Sequence, residues 1–276
     1  MRAFSMPRTR LRTKGRTVTG LAVVTGASSG IGREYARRLA SQGVSLIAVG
    51  RRRERLDGLK AEFPDVTVHT VVADLATRDG IEQAIAAVAD RPVTMLVNNA
   101  GVAHYKAFVE LPPEQAAELI GVKVLAPTLL TRAIVPGMVA RGAGRIVNVS
   151  GMIAFSGPAS LEQVPLRRAV YAASLAHSVA LSQTLHAELS PHGIHVQALC
   201  PGVVATEFHE RQGMDLSAAP RMSAADVVTA SLRGFALGET VTAPGVELND
   251  LLQSVFDADL AAFGGQSPQL ATRYRS

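Results

Sequence analysis

The sequence predicts an α/β fold: a doubly wound parallel sheet of about seven strands with helices on both faces. Three observations carry that expectation. Short runs rich in Val, Ile and Leu alternate with longer amphipathic stretches. The short runs are mainly apolar, as in strands buried on both faces. A glycine-rich turn joins the first run to the first helical stretch.

Strands are expected at "LAVVTG" from Leu21, "VSLIAVG" from Val44, "VTVHTVVA" from Val66, "VTMLVNNAG" from Val93, "GRIVNVSG" from Gly144, "IHVQALCPG" from Ile194 and "ETVTAPGV" from Glu239. Helices are expected near 30–42, 53–63, 79–90, 113–140, 168–190 and 224–237, with a last one in "LNDLLQSVFDADLAAF". Connections are short except 151–168 and 203–223. Both follow the carboxyl ends of strands, where such sheets bind ligands. A single Rossmann domain is expected over 19–250, after a basic tail (1–18) and before a C-terminal helix and tail (251–276).

Composition bounds the function. With 47% hydrophobic and 18% charged residues in 276, the chain can bury a large core and is no disordered polymer. Its longest apolar stretches, such as "GVKVLAPTLL", read as too short and broken to span a bilayer, so no membrane partner is expected. The net charge of +5 suggests nucleic acid until it is located. Arg2, Arg8, Arg10, Arg12, Lys14 and Arg16 stand at the N-terminus with no acid among them, and the remainder is near neutral. That segment is expected to be a solvated, disordered leader, and a nucleic-acid contact through it is the least favoured class. It lacks the apolar region of a secretory signal. A single cysteine, Cys200, excludes an internal disulfide and fits a cytoplasmic location. Lysine is rare: only Lys14, Lys60, Lys106 and Lys123 occur.

"VVTGASSGIGREYARRLA" is the strongest signal, a strand, a glycine turn and a helix that opens inside the turn. Gly26 permits the tight turn, and Gly30 and Gly32 let the backbone approach a pyrophosphate at the helix N-terminus. Thr25, Ser28, Ser29 and Ile31 complete this candidate dinucleotide cradle. A carboxylate at the end of the second strand would hold the ribose of NAD. This chain has Gly50 and then Arg51, with Arg33 just past the glycine turn, so the expected cofactor is NADP(H).

These motifs, in order, resemble the short-chain dehydrogenase/reductase family from about 20 to 247: "TGASSGIG", "ADL" (73–75), "NNAG" (98–101), "GRIVNVS", a Tyr-led helix from 171 and "PGVVAT" (201–206). The resemblance implies hydride transfer between NAD(P)H and a carbonyl or alcohol carbon. It implies that Asp74, with Leu75 beside it, meets the adenine. Asn98 to Gly101, Ala100 among them, would support the central strand and the cofactor, while Pro201 to Thr206, with Gly202 and Val204 among them, wrap the nicotinamide. It also implies a homodimer or homotetramer paired through helices 113–140 and 168–190.

The family's catalytic residues carry over only in part. The tyrosine falls on Tyr171. The lysine falls on Leu175, the serine on Gly151 and the asparagine on Lys123. The Gly151–Tyr171 gap is about seven residues longer than the family's. Ser150 is one residue early, on the other face of its strand. Two readings follow. In one, Lys123 replaces the missing lysine and lowers the pKa of Tyr171. Substrate polarisation then falls to Ser150, Ser156 or Ser160, and the protein reduces a ketone of a small or medium, apolar substrate. In the other, the cofactor site is kept without ordinary redox turnover, for a cyclisation, an isomerisation or regulation. Lys106 and His104 are weaker candidates for the cation. His209 and Glu210 lie on the second long loop. No residue cluster has metal-ligand spacing.

Overall fold

The protein is described by a computed structural model covering residues 20–161, 164–165 and 167–275. The basic N-terminal segment lies outside the described residues. Strands β1 (Leu21–Thr25), β2 (Ser45–Gly50), β3 (Val68–Val72), β4 (Val93–Asn98) and β5 (Gly144–Val149) alternate with helices α1 (Gly30–Ala40), α2 (Arg53–Glu62), α3 (Arg78–Val88), α4 (Pro113–Ile120) and α5 (Ala126–Arg141). A two-residue hairpin, β6 (Ser160–Leu161) with β7 (Val164–Pro165), interrupts the first long loop. Helix α6 (Ala169–Leu189), β8 (Ile194–Leu199), α7 (Ala224–Leu237), β9 (Val241–Thr242) and α8 (Asp250–Gly264) complete the order.

The seven long-sheet strands run in the order β3-β2-β1-β4-β5-β8-β9, and every pairing is parallel. The expected doubly wound sheet is therefore the observed one. Strand alternation splits the apolar runs between two cores. Ala22, Val24, Leu46, Ala48, Met95 and Val97 pack beneath α1, α2 and α7. Val23, Ile47, Val49, Leu96 and Ile146 pack beneath α3, α5 and α6. Because the order reverses between β1 and β4, a crevice opens at their carboxyl ends.

One helix departs from regularity. Between α4 and α5, Gly121–Leu125 forms a π turn, closed by the Ala126 N–H on the Gly121 carbonyl. Pro127 gives the reason. It has no N–H to return to the carbonyl of Lys123, so the ordinary i→i−4 bond is missing there. The chain winds on regardless, and Pro113–Arg141 is one stretch of 29 residues whose most apolar 18-residue window has mean hydropathy 1.5. This corrects the expectation about "GVKVLAPTLL": joined to its neighbours, it belongs to a helix long and apolar enough to cross a membrane. Of its most apolar window, 44% is buried inside the protein. Leu119, Ala126, Leu130, Ile134 and Met138 are among its buried residues.

A buried polar chain ties this helix to the sheet. Asn98 donates to Asn148 (2.9 Å) and to Thr131 (3.2 Å), and Asn148 donates to Ser182 (2.9 Å), joining β4, β5, α5 and α6. In a dry interior each such group needs its partner. Asn148→Ala leaves the Asn98 amide and the Ser182 hydroxyl short of one partner each, and should lower stability by about 2–3 kcal/mol in urea unfolding.

Candidate active site

The crevice is a cavity of about 880 Å³ above the carboxyl ends of the strands. At one end lies the glycine turn. Gly26 (φ +67°) and Gly30 (φ +53°) adopt left-handed backbone that favours glycine. A Cβ on Gly26 would stand 2.6 Å from Asn99 Nδ2 and 3.0 Å from the Ala100 backbone. A Cβ on Gly30 would stand 3.1 Å from Thr206 Cγ2. Helix α1 starts there with no side-chain cap from Ser29 and no acid in its first turn. Its leading N–H groups thus lack side-chain partners, which suits a pyrophosphate.

At the end of β2, Arg52 caps α2 in extended conformation. It donates to Ser28 Oγ (2.9 and 3.2 Å) and Ser29 Oγ (2.7 Å). Arg51 stands 3.9 Å from Asp74 and 3.7 Å from Glu118. The two residues that follow Gly50 are arginines, not a carboxylate, and both line the cavity, with Asp74 and Glu207 on the wall beside them. Charge and shape fit a dinucleotide with an extra phosphate on its ribose. Arg33 is turned away, paired with Glu62 at 3.3 Å.

Most of the expected cofactor residues line this cavity: Gly26, Ser28, Ser29, Gly30, Ile31 and Arg51, then Asp74, Leu75, Ala100 and Gly101, and finally Pro201, Gly202, Val204 and Thr206. Thr25, Gly32 and Asn98 do not. Thr25 instead donates to the Val97 carbonyl (3.3 Å) and accepts from the N–H groups of Asn99 and Ala100, at 2.9 Å each. Gly32 packs against the Gly26 backbone. Asn98 faces the core network, and its neighbour Asn99 takes the place at the wall. Strand alternation separates the two asparagines, a step of one residue that the motif alone does not resolve.

At the other end, Tyr171 and Lys123 line the same cavity. The π turn carries Lys123 inward, leaving it 6% exposed. Its Nζ donates to the Val149 carbonyl at 3.4 Å. It also passes so close to Gly101 that a Cβ there would meet Nζ at 2.6 Å. Burial lowers its pKa from 10.5 to about 8. Leu175, fully buried, packs with Tyr171, Val102, Leu119 and Val122. A Cβ on Gly151 would touch Leu175 Cδ1 at 3.5 Å, so the two missing positions face each other. Ser150 stands at the wall, but its hydroxyl donates to the Leu175 carbonyl at 2.9 Å. Ser156 likewise donates to the Ile153 carbonyl, at 2.7 Å. Lys106 is exposed, and His104 pairs with Glu118 at 2.8 Å.

Two residues here escaped sequence reasoning. Tyr105 crosses Tyr171 edge-on, with ring centroids 5.5 Å apart. Burial raises the pKa of Tyr171 and the neighbouring Tyr105 raises it further, so the expected lowering by Lys123 is overturned: the buried phenol has a tyrosine, not a cation, acting on it. Burial raises the pKa of Tyr105 too, against a smaller opposing pull from buried Arg168, which holds Ser156 Oγ (3.1 Å) and the Ala159 carbonyl (2.9 Å). Tyr105 sits between His104 and Lys106, the two residues weighed in that loop, and its own aromatic signal was the one available. Among the described residues, no cluster of three or more His, Cys, Asp or Glu side chains could hold a metal.

The fold, the glycine cradle and the arginines define a dinucleotide-binding α/β protein. A family model, short chain dehydrogenase, matches residues 20–216. The chain belongs to the short-chain dehydrogenase family. It is 33% identical over 194 residues to very-long-chain 3-oxoacyl-CoA reductase of Bos taurus, covering 68% of this chain and 60% of that protein. It is 36% identical over 202 residues to L-xylulose reductase of Bos taurus, covering 73% and 78%. Among solved structures it resembles a short-chain dehydrogenase from Sphingobium yanoikuyae in complex with NADPH (34% identity, TM-score 0.86, covering 92% and 100%). It also resembles the bulky-bulky ketone specific alcohol dehydrogenase from Comamonas testosteroni (29%, 0.83, 93% and 99%).

The buried amine sets a pH dependence of stability. Below pH 8 both folded and unfolded chains hold the Lys123 proton, and folding must bury a charge. Between about 8 and 10.5 the unfolded chain holds it more, so this group makes stability rise with pH. Lys123→Met should therefore be more stable than wild type at pH 7, by at most about 3 kcal/mol, and the gap should close toward pH 10.5. Denaturant unfolding at both pH values measures it.

Proposed function

We propose that the protein is an NADPH-dependent reductase of a ketone on a small or medium, apolar organic substrate. The carrying observation is that the Tyr171 phenol and the Lys123 amine line one cavity, continuous with the glycine cradle and the arginines at 51 and 52. NADPH, when bound, supplies the hydride. The chain's own residues would do the rest. The α1 N-terminus takes the pyrophosphate, Arg51 and Arg52 take the ribose phosphate, and Asp74 takes the adenine. Pro201–Thr206 lies along the nicotinamide by the family's pattern. Lys123, beside Gly101, stands in for the lysine that the family has at position 175.

In the reductive direction the tyrosine is the acid. With its pKa raised, Tyr171 is a neutral phenol at pH 7. Alcohol oxidation needs the phenolate as base, whereas ketone reduction needs only the neutral acid. The nascent alkoxide, conjugate base of an acid about as weak as water (pKa about 15.7), accepts that proton. Met152, Ile153, Val203, Phe208, Met214 and Leu216 give the substrate end an apolar wall. The names of the Bos taurus acyl-CoA reductase and the Comamonas testosteroni ketone enzyme support a bulky apolar ketone. Exposed Ile120, Leu125 and Leu129 on the outer side of the α4–α5 helix support self-association as a dimer or tetramer. The single buried cysteine fits a cytoplasmic site.

A second reading, cofactor binding without redox turnover, is favoured by one observation: Tyr171 pairs with Tyr105, and leucine fills the lysine position. NADPH fluorescence followed by a ketone panel separates the two readings. A chain that binds NADPH and oxidises it with no ketone in a broad panel belongs to the second. For a reductase, Tyr171→Phe should lower kcat about 100-fold or more with NADPH affinity unchanged. The wild-type kcat/KM should fall as pH rises through about 8, as Lys123 loses its charge, and Lys123→Met should lack that limb. An unchanged pH profile in Lys123→Met would remove the lysine from the mechanism.

A further inference from the structure

We propose that Glu207 sets the cofactor preference, by occupying from the 203–223 loop the anion site that Arg52 and Arg55 offer to a ribose 2′-phosphate. The inference rests on the NADP(H) reading above. Glu207 directly follows Thr206, whose methyl group would touch a Cβ on Gly30. The loop therefore comes down on the glycine turn, and Glu207 reaches across it. Arg52 Nη1 donates to Glu207 Oε1 at 2.8 Å. Arg55 Nη1 reaches both carboxylate oxygens, at 2.8 and 2.9 Å. Arg211, one helical turn along the loop, reaches Oε1 at 2.7 Å. Burial pushes this carboxyl up, but Arg55 and Arg52, with the Ser29 hydroxyl near them, outweigh it and hold Glu207 below the ordinary carboxylate range.

Three guanidinium groups on one carboxylate leave the cluster cationic. The donors are those that recognise a phosphate: fork-shaped arginines and a serine hydroxyl at a glycine turn. A phosphate monoester carries about −1.5 to −2 at pH 7 and has three acceptor oxygens, so it is the better partner. NADPH must therefore displace Glu207 to use Arg52 and Arg55. NADH has no group to put there, and the carboxylate stays. Phe208, His209, Met214 and Leu216 of the same loop line the substrate end. Release of Glu207 thus frees the wall of the substrate pocket when the phosphorylated cofactor arrives, and not otherwise.

The test uses the full-length chain and its Glu207→Gln variant, which keeps the shape and removes the charge. Glu207 is partly exposed, so its ion pairs are each a modest part of stability. NADPH and NADH binding are titrated by nicotinamide fluorescence, and trypsin cleavage after Arg211 and Arg221 reports loop release. Glu207→Gln should tighten NADPH binding about three- to tenfold while changing NADH affinity less than about twofold. Wild-type cleavage in the loop should be faster with saturating NADPH than with saturating NADH, and that difference should vanish in the variant. NADPH binding that is weakened or unchanged in Glu207→Gln overturns the inference alone, because the carboxylate would then order the arginines or play no part. Wild-type protein that binds no NADPH overturns the cofactor reading and the inference with it.

Discussion

The Thr25 hydroxyl closes the sheet at the point where the winding reverses. It donates across β1 to the Val97 carbonyl of β4 and accepts two N–H groups from the turn that follows, at Asn99 and Ala100. With Asn99 Nδ2 returning to the Thr25 carbonyl at 2.9 Å, two strand ends and two loops meet in one set of hydrogen bonds. The glycine turn on one side and the wall carrying Gly101 on the other are positioned by it. The cavity is the space between them, and the groups along its sides keep their spacing because their backbones are fixed there.

At the substrate end, the departures from the family pattern compensate one another as a packing arrangement. A lysine at 175 would need room and a charge partner. Leucine needs neither, and the absent Cβ at 151 leaves its methyl group unobstructed. Lys123 enters from another helix, through the gap above Gly101, where any side chain would collide with it. The cost is burial of a cation with one long hydrogen bond, to the Val149 carbonyl. The phenol of Tyr171 gains a second tyrosine as its polar neighbour, which withdraws it further from ionisation.

The fold was legible because its signals are local. Apolar runs such as "LIAVG" point to a sheet covered on both faces, and the glycine turn fixes the first crossover. The cofactor end was legible for the same reason, down to Arg51 and Asp74. What escaped is non-local. Glu207 meets Arg52 across 155 residues and Tyr105 meets Tyr171 across 66, and no spacing in the chain encodes either contact. Asn98 and Thr25 were assigned to the cofactor because a motif does not say which of its residues face the ligand and which face the core. Lys123 was legible as an oddity in an arginine-rich chain, and its inward course follows from Pro127, four residues on.

That proline means the position of the amine is governed by winding as much as by residue type. A π turn inserts one extra residue into the helix, and each residue advances the helix by about 100°. Were the segment 121–125 shortened by one residue, the helix could wind evenly through it with its flanking faces kept in register, and the residues inside the segment would be redistributed around the axis. The lysine would leave the cavity with its sequence neighbourhood almost unaltered. A functional group in such a fold can thus be gained or lost by insertion and deletion, a route that tallies of substitutions at fixed alignment columns would miss.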